Sequence, residues 1–227
     1  VSIYYDHGGI RIYHGDCREI LPTLPKCDLL LTDPPYGLGA ARKDVMGFGY
    51  KRGKNGMGGK NPSKRDYGDS AWDDVACDQE LIDLCRDCCS EHVIWGGNYF
   101  ALPPTKCLFV WDKLRGDTDF ADGEVAWTSR DRAMRIFRYR WNGFLVDPTS
   151  TDDRVHPTQK PLALMKWCLT FFPLAKSVLD PFMGSGTTLV AAKNLGRKAI
   201  GIEIEEHYCE IAAKRLSQEV FDFAGKA

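Results

Sequence analysis

No stretch of this sequence stays apolar for the length a membrane crossing needs, and no leader pattern opens it. It starts at Val1 rather than Met, which reads as the loss of a few N-terminal residues. Surplus charge of either sign is also missing. Thirty basic residues stand against 31 acidic ones, for a net charge of −1. That excludes a globally basic nucleic-acid binder, so any such surface has to be local. The nine cysteines lack the even count and short chain of a disulfide scaffold. Cys85, Cys88 and Cys89 lack a second Cys/His pair at zinc-like spacing, so they read as small buried hydrophobes and no metal is expected. Free thiols in a reducing cytoplasm are the expectation. Two nucleotide signatures are absent as well: the third glycine of the dinucleotide fingerprint and the Gly-Lys-Thr of a phosphate loop.

What is present is one domain's worth of ordinary globular sequence, 227 residues with 44% hydrophobic and 27% charged. Its most informative stretch is Leu29-Leu30-Leu31-Thr32-Asp33-Pro34-Pro35-Tyr36-Gly37. Three leucines, tightly bounded, read as a buried strand of a parallel sheet. The proline pair cannot continue a ladder, so the chain leaves the sheet there in a stiff turn. One carboxylate (Asp33), one carbonyl (Pro34) and one aromatic ring (Tyr36) then stand at the carboxyl edge of a strand, where open α/β sheets bind ligands. An aromatic face stacks on a planar heterocycle. Two acceptors can hold the hydrogens of an exocyclic amine and favour the pyramidal form whose lone pair is free to attack. Prolines 34 and 35 offer no competing N–H. The plainer alternative is a strand followed by a proline-rich turn.

The remaining chain alternates strands and helices. Residues 10–13 form a short strand. His14-Gly15-Asp16-Cys17 is a turn in which Asp16 can accept from a base amine or cap the helical turn that follows. Gly37 to Gly68 is rich in Gly, Lys and Arg and has no apolar period. It reads as a mobile basic loop closing over a polyanion, with Lys51, Arg52 and Lys54 as contacts, or as a solvated linker. Helical spacing covers 78–89, and strands cover 92–95 and 107–111. Asn98 and Tyr99 lie in a turn at the carboxyl edge. Phe120 to Thr128 looks like a short helix running into a strand. Arg130, Arg132, Arg135, Arg138 and Arg140 interleave with Ile136, Phe137, Tyr139 and Trp141. That pattern suits phosphate and groove contacts, or an edge strand with its charged face in water. Lys160, ahead of a helix over 162–172, can hold a carboxylate.

Ser177–Asp180, the turn Pro181-Phe182-Met183-Gly184-Ser185-Gly186-Thr187-Thr188, a helix over 189–195, a strand over 197–203 and a helix over 208–216 form a βαβ unit. Small residues there permit close approach of a ligand. Glu203 follows the glycine turn at the spacing where an acid holds ribose hydroxyls.

Asp33-Pro34-Pro35-Tyr36 together with Asp180-Pro181-Phe182, Gly184-Ser185-Gly186 and Glu203 resembles the S-adenosylmethionine-dependent DNA amino-methyltransferases. The catalytic motif precedes the cofactor motif, which resembles the permuted β class. The resemblance implies a Rossmann-like methyltransferase fold, an α/β architecture with a mostly parallel seven-stranded sheet, helices on both faces and one reversed strand at the edge. It implies S-adenosyl-L-methionine as cofactor, bound through Asp16, Cys17, Asp33, Lys160 (at the methionine end), Asp180, Phe182, Gly184, Ser185, Gly186, Thr187, Thr188 and Glu203. It implies double-stranded DNA as partner, target recognition by 112–154, and base flipping with direct transfer at Asp33, Pro34, Pro35 and Tyr36. So small a recognition segment fits a short site or a homodimer. Asp at the first motif position favours adenine N6 over cytosine N4. Cytosine C5 chemistry would need a cysteine after a proline, and none of the nine follows one. RNA or protein-glutamine methylation, and an idle DNA- or cofactor-binding protein, are the alternatives of other kinds.

Overall fold

The computed structural model describes residues 2–37, 76–115, 121–142, 145–148, 150, 155 and 158–218. The expected basic loop at 37–68, with Lys51, Arg52 and Lys54, lies outside the described residues except for Gly37. The elements are β1 (Ser2–His7), β2 (Ile10–His14), α1 (Cys17–Ile20), β3 (Cys27–Thr32), α2 (Gln79–Asp87), β4 (Cys89–Trp95), β5 (Leu108–Asp112), β6 (Gly123–Thr128) and β7 (Arg135–Arg138). The short pair β8 (Trp141–Asn142) and β9 (Leu145–Val146) follows, then α3 (Leu162–Thr170), β10 (Ser177–Asp180), α4 (Thr187–Asn194), β11 (Lys198–Glu203) and α5 (Glu206–Ser217).

Apolar runs make the middle of a mostly parallel sheet with the order β1-β2-β11-β10-β3-β4-β6-β5-β7. Leu29 and Leu31 face one core and Leu30 the other, and all three are fully buried. Each such side chain contributes about 2 kcal/mol. Helices α3, α4 and α5 cover the first face through Leu164, Leu189 and Cys209. Helices α1 and α2 cover the second through Ile20, Leu81 and Ile82. Cys85 and Cys89 sit in this second core, their thiol pKa values pushed up by burial.

Three features differ from expectation. The sheet has nine strands among the described residues, not seven. Gly8 and Gly9, both at positive φ, turn β1 back onto β2, and β7 adds a strand beyond β5. The edge strand β1 is reversed, as expected of one edge strand, and a second reversed strand, β6, lies inside the sheet between β4 and β5, antiparallel to both. Within the segment 112–154, β6 and β7 are strands of this sheet. No helix leads into β6 among the described residues just before it, which form a bend.

Strands β3 and β10 are neighbours, yet their connections run in opposite directions. α2 carries β3 on to β4, and α4 carries β10 on to β11. This is the topological switch point of the sheet, where a crevice opens beyond the carboxyl ends. No helix among the described residues is long and apolar enough to cross a membrane.

Candidate active site

The crevice is a cavity of about 560 Å³, within the range for a bound small molecule. Its walls come from the carboxyl ends of β2, β3, β10 and β11, so residues far apart in sequence meet. Thr32 Oγ1, at the end of β3, donates to Asp180 Oδ1 at 2.8 Å. The Phe182 N–H and the Thr188 side chain also bond to this carboxylate. Asp180 is 4% exposed, and burial pushes its pKa up to about 6. It ties the two motif strands together. At the end of β11, Glu203 accepts from the N–H groups of Gly184 (3.0 Å) and Glu205 (2.9 Å). Burial raises its pKa to about 7. Across the cavity, Asp16 caps α1 by accepting from Arg18 N–H at 2.8 Å, and Cys17 lies buried beside it.

The glycine turn divides its labour. Phe182, Gly184, Ser185, Thr187 and Thr188 line the cavity. Gly186 does not: it adopts φ +78° and packs on α5, where a Cβ would come within 2.8 Å of Ala212 Cβ. Arg215 Nη1 bonds the Ser185 carbonyl at 2.6 Å and Thr187 Oγ1 at 3.2 Å, bracing the turn from behind.

The turn after β3 is held from several sides. The Pro35 carbonyl accepts from Cys77 N–H at 3.0 Å, so it anchors the chain where Tyr36 bridges to Ala76. Tyr36 stacks on Tyr99 with ring centroids 4.9 Å apart and planes at 22°. Its edge rests on Gly96, which has φ +63°. A Cβ there would come 2.1 Å from the ring. Asp33 receives hydrogen bonds from the Tyr36 hydroxyl and the Lys160 ammonium.

Lys160 is 7% exposed and lies between two carboxylates, with Glu124 Oε2 at 3.0 Å on the far side. Glu124 Oε1 in turn accepts from Lys113 at 2.5 Å. Burial and the Glu124 charge raise the Asp33 pKa against the pull of Lys160. Burial would also raise that of Glu124, but Lys160 and Lys113 override it and hold it down to about 2. Burial alone would lower the Lys160 pKa; the two carboxylates raise it instead.

Sequence reasoning missed Glu124 and Lys113. Lys113 carried a signal, because it follows β5 at the carboxyl edge. Glu124 did not, since its place depends on β6 running backwards. Lys160 was expected to hold a carboxylate, and here its partners are those of Asp33 and Glu124.

The arginine cluster separates by register. Arg135 pairs with Phe109 and Arg138 with Asp112, so Arg138, with Arg140 just beyond it, stands at the carboxyl edge of the sheet, although neither lines the cavity. Arg130 stacks over Phe171 and Phe172 at the C-terminal end of α3, 5.2 and 5.4 Å from their centroids. Arg132 and Arg135 are exposed toward the amino edge of the sheet. The interleaved aromatics turn inward: Tyr139 and Trp141 are buried, and Phe137 packs on Trp167. Phe137 and Tyr139 are core residues, and Trp141 also lines the cavity. The described residues hold no cluster of three or more His, Cys, Asp or Glu arranged for a metal.

The arrangement brings acceptors, a ring and a buried cation to one edge of the cavity, with acids and small residues at the other. A family model described as DNA methylase, covering N6 and N4 enzymes, matches residues 105–214. The Type II methyltransferase M.ScaI of Streptomyces caespitosus is 26% identical over 260 residues, covering 95% of this chain and 84% of that protein. M2.DpnII of Streptococcus pneumoniae is 46% identical over 80 residues, 35% of this chain and 30% of that protein. Among solved structures, the complex of M1.HpyAVI with SAM aligns with TM-score 0.53 at 25% identity, covering 92% of this chain and all of that one.

Proposed function

We propose that this chain, a member of the S-adenosylmethionine-dependent DNA amino-methyltransferases, methylates the N6 amine of adenine in duplex DNA after swinging the base out of the stack. The observation that carries this reading is the meeting of Asp33 with the Asp180–Thr188 turn in one cavity at the switch point. The preference for adenine over cytosine N4 rests on Asp33 at the first position of the motif.

The family uses S-adenosylmethionine, and the residues present suit it. Phe182 and the half-exposed Ile204 offer apolar surface to a purine. Asp16 and Glu203 offer acceptors for an amine and for ribose hydroxyls. Gly184 and Ser185 leave room for close approach. When bound, the cofactor supplies an electrophilic methyl on a positively charged sulfur. The protein's part is to place and electronically prepare the amine. Asp33 accepts an amine N–H, which withdraws the lone pair from ring conjugation. Its raised pKa suits it to take the proton that the amine sheds. Tyr36 packs against the extruded base, and Arg138 and Arg140 meet phosphates beside the cavity mouth.

The test is product analysis. Protein, S-adenosylmethionine and unmethylated duplex DNA are incubated and digested to nucleosides, which are identified by mass spectrometry. N6-methyladenine, lost in Asp33→Ala, is expected. N4-methylcytosine would overturn the base assignment and keep the chemistry. No methylated nucleoside with cofactor binding intact would overturn the enzyme reading.

A further inference from the structure

We propose that Glu124 is a positioning residue that takes over the Lys160 ammonium, so that Asp33 can be released to the target amine. The inference rests on the methyltransferase reading above and adds to it a residue outside both motifs. Both oxygens of Asp33 are occupied: Oδ1 by the Tyr36 hydroxyl and Oδ2 by Lys160. Each oxygen keeps a second lone pair, but an oxygen already shared with an ammonium accepts an amine N–H more weakly, so shifting Lys160 away strengthens what Asp33 offers the base. Lys160 cannot simply withdraw, because a buried ammonium without a counter-charge is strongly disfavoured.

Glu124 offers the second place. Its Oε1 is fixed by Lys113. Its Oε2 is buried and lies 3.0 Å from Lys160 Nζ, so an ion pair with the cation is already in place. With three donors Lys160 spans both carboxylates, and a displacement of Nζ toward Glu124 would lengthen its contact with Asp33 Oδ2 and leave that oxygen to the amine. The two carboxylates of the exchange sit at the end of β3 and on β6, and Lys160 lies in the separate segment before α3, so base entry can shift the cation without moving the sheet. Lys113 completes the charge balance by holding Glu124 ionised and oriented throughout.

The groups that face Asp33 set the signs. Lys160 favours its ionised form. Glu124, from β6, opposes it, and so does buried Asp180, from β10. The Tyr36 hydroxyl favours the ionised form from the same turn. Removing the Glu124 charge therefore lowers the Asp33 pKa and leaves Lys160 fully committed to Asp33. Removing Lys160 does the opposite.

The experiment follows tritiated methyl transfer from S-adenosylmethionine to unmethylated genomic DNA between pH 5 and 9, for the wild type, Glu124→Gln and Lys160→Met. Cofactor affinity without DNA is measured by calorimetry. For Glu124→Gln we expect kcat to fall about tenfold, cofactor affinity to stay within about twofold, and the acid limb of kcat/KM to move down by roughly half a pH unit or more. Lys160→Met should move the limb up. A limb for Glu124→Gln that coincides with the wild type or moves up would overturn the proposal. So would a loss of cofactor affinity parallel to the loss of rate, which would mark a merely structural role. Transfer by the wild type with coincident limbs sinks this inference alone, whereas no transfer by the wild type sinks the methyltransferase reading with it.

Discussion

Glu203 carries its charge where ionisation is costly. Burial raises its pKa to about 7, and the amides of Gly184 and Glu205 only partly offset the effect. Two opposite pH responses follow. In the ligand-free protein the group favours folding when protonated. Its contribution is fully present below the unfolded value near 4.5 and is lost as pH rises through about 7. Cofactor binding, if it uses the ionised acceptor, responds the other way. Calorimetry should find S-adenosylmethionine bound about tenfold more weakly at pH 6 than at pH 8, with the dependence gone in Glu203→Gln. Equal affinity at both pH values would remove Glu203 from the cofactor site. This carboxylate and Asp33 were legible in the sequence because each ends an apolar strand and is followed by a turn. Glu124 was not, because its neighbourhood with Lys160 is a product of sheet order alone.

At the level of elements, apolar runs and helical spacing located β3, β4, β10, β11 and α2 to α5 to within a few residues. One strand escaped for a physical reason. Strand β1 (Ser2–His7) has mixed polar and apolar residues, four of the six exposed, and its signal was the Gly8-Gly9 turn. Strand β7 was weighed as an edge strand and as a DNA contact, and it is the last strand of the sheet. The turn after β4 shows how one element sets up another. Gly96 has φ +63° and leaves the space that the Tyr36 ring fills, while Tyr99, from the same turn, stacks on that ring. Gly96→Ala should therefore cost about 1–3 kcal/mol in stability and lower methyl transfer at least about tenfold by displacing Tyr36, with cofactor affinity retained. Thermal unfolding, calorimetry and transfer rates check this. Unchanged transfer would show that the position of Tyr36 does not matter.

Over the whole molecule, charge is balanced at −1, so DNA attraction has to come from where cations are placed. The five arginines of 130–140 look alike along the sequence, and β7 sorts them. It runs parallel to β5, and Arg135 and Arg138 lie three residues apart, about 10 Å along the strand. Arg138 and Arg140 therefore stand at the edge that holds the cavity, with Arg138 loosely paired to Asp112 at 3.3 Å and 65% exposed. Arg132 and Arg135 stand toward the opposite edge, and Arg130 is committed to the rings of Phe171 and Phe172. A duplex whose flipped base enters the cavity lies across the carboxyl edge and cannot reach both groups. Arg138→Ala and Arg140→Ala should each weaken binding to duplex DNA and reduce the slope of log K against log salt by about 0.9 for each phosphate that the protein no longer neutralises. Arg132→Ala and Arg135→Ala should leave both quantities unchanged. Binding titrations at several salt concentrations separate the groups. Equal losses from all four would mean that the duplex follows the edge strand rather than the cavity mouth.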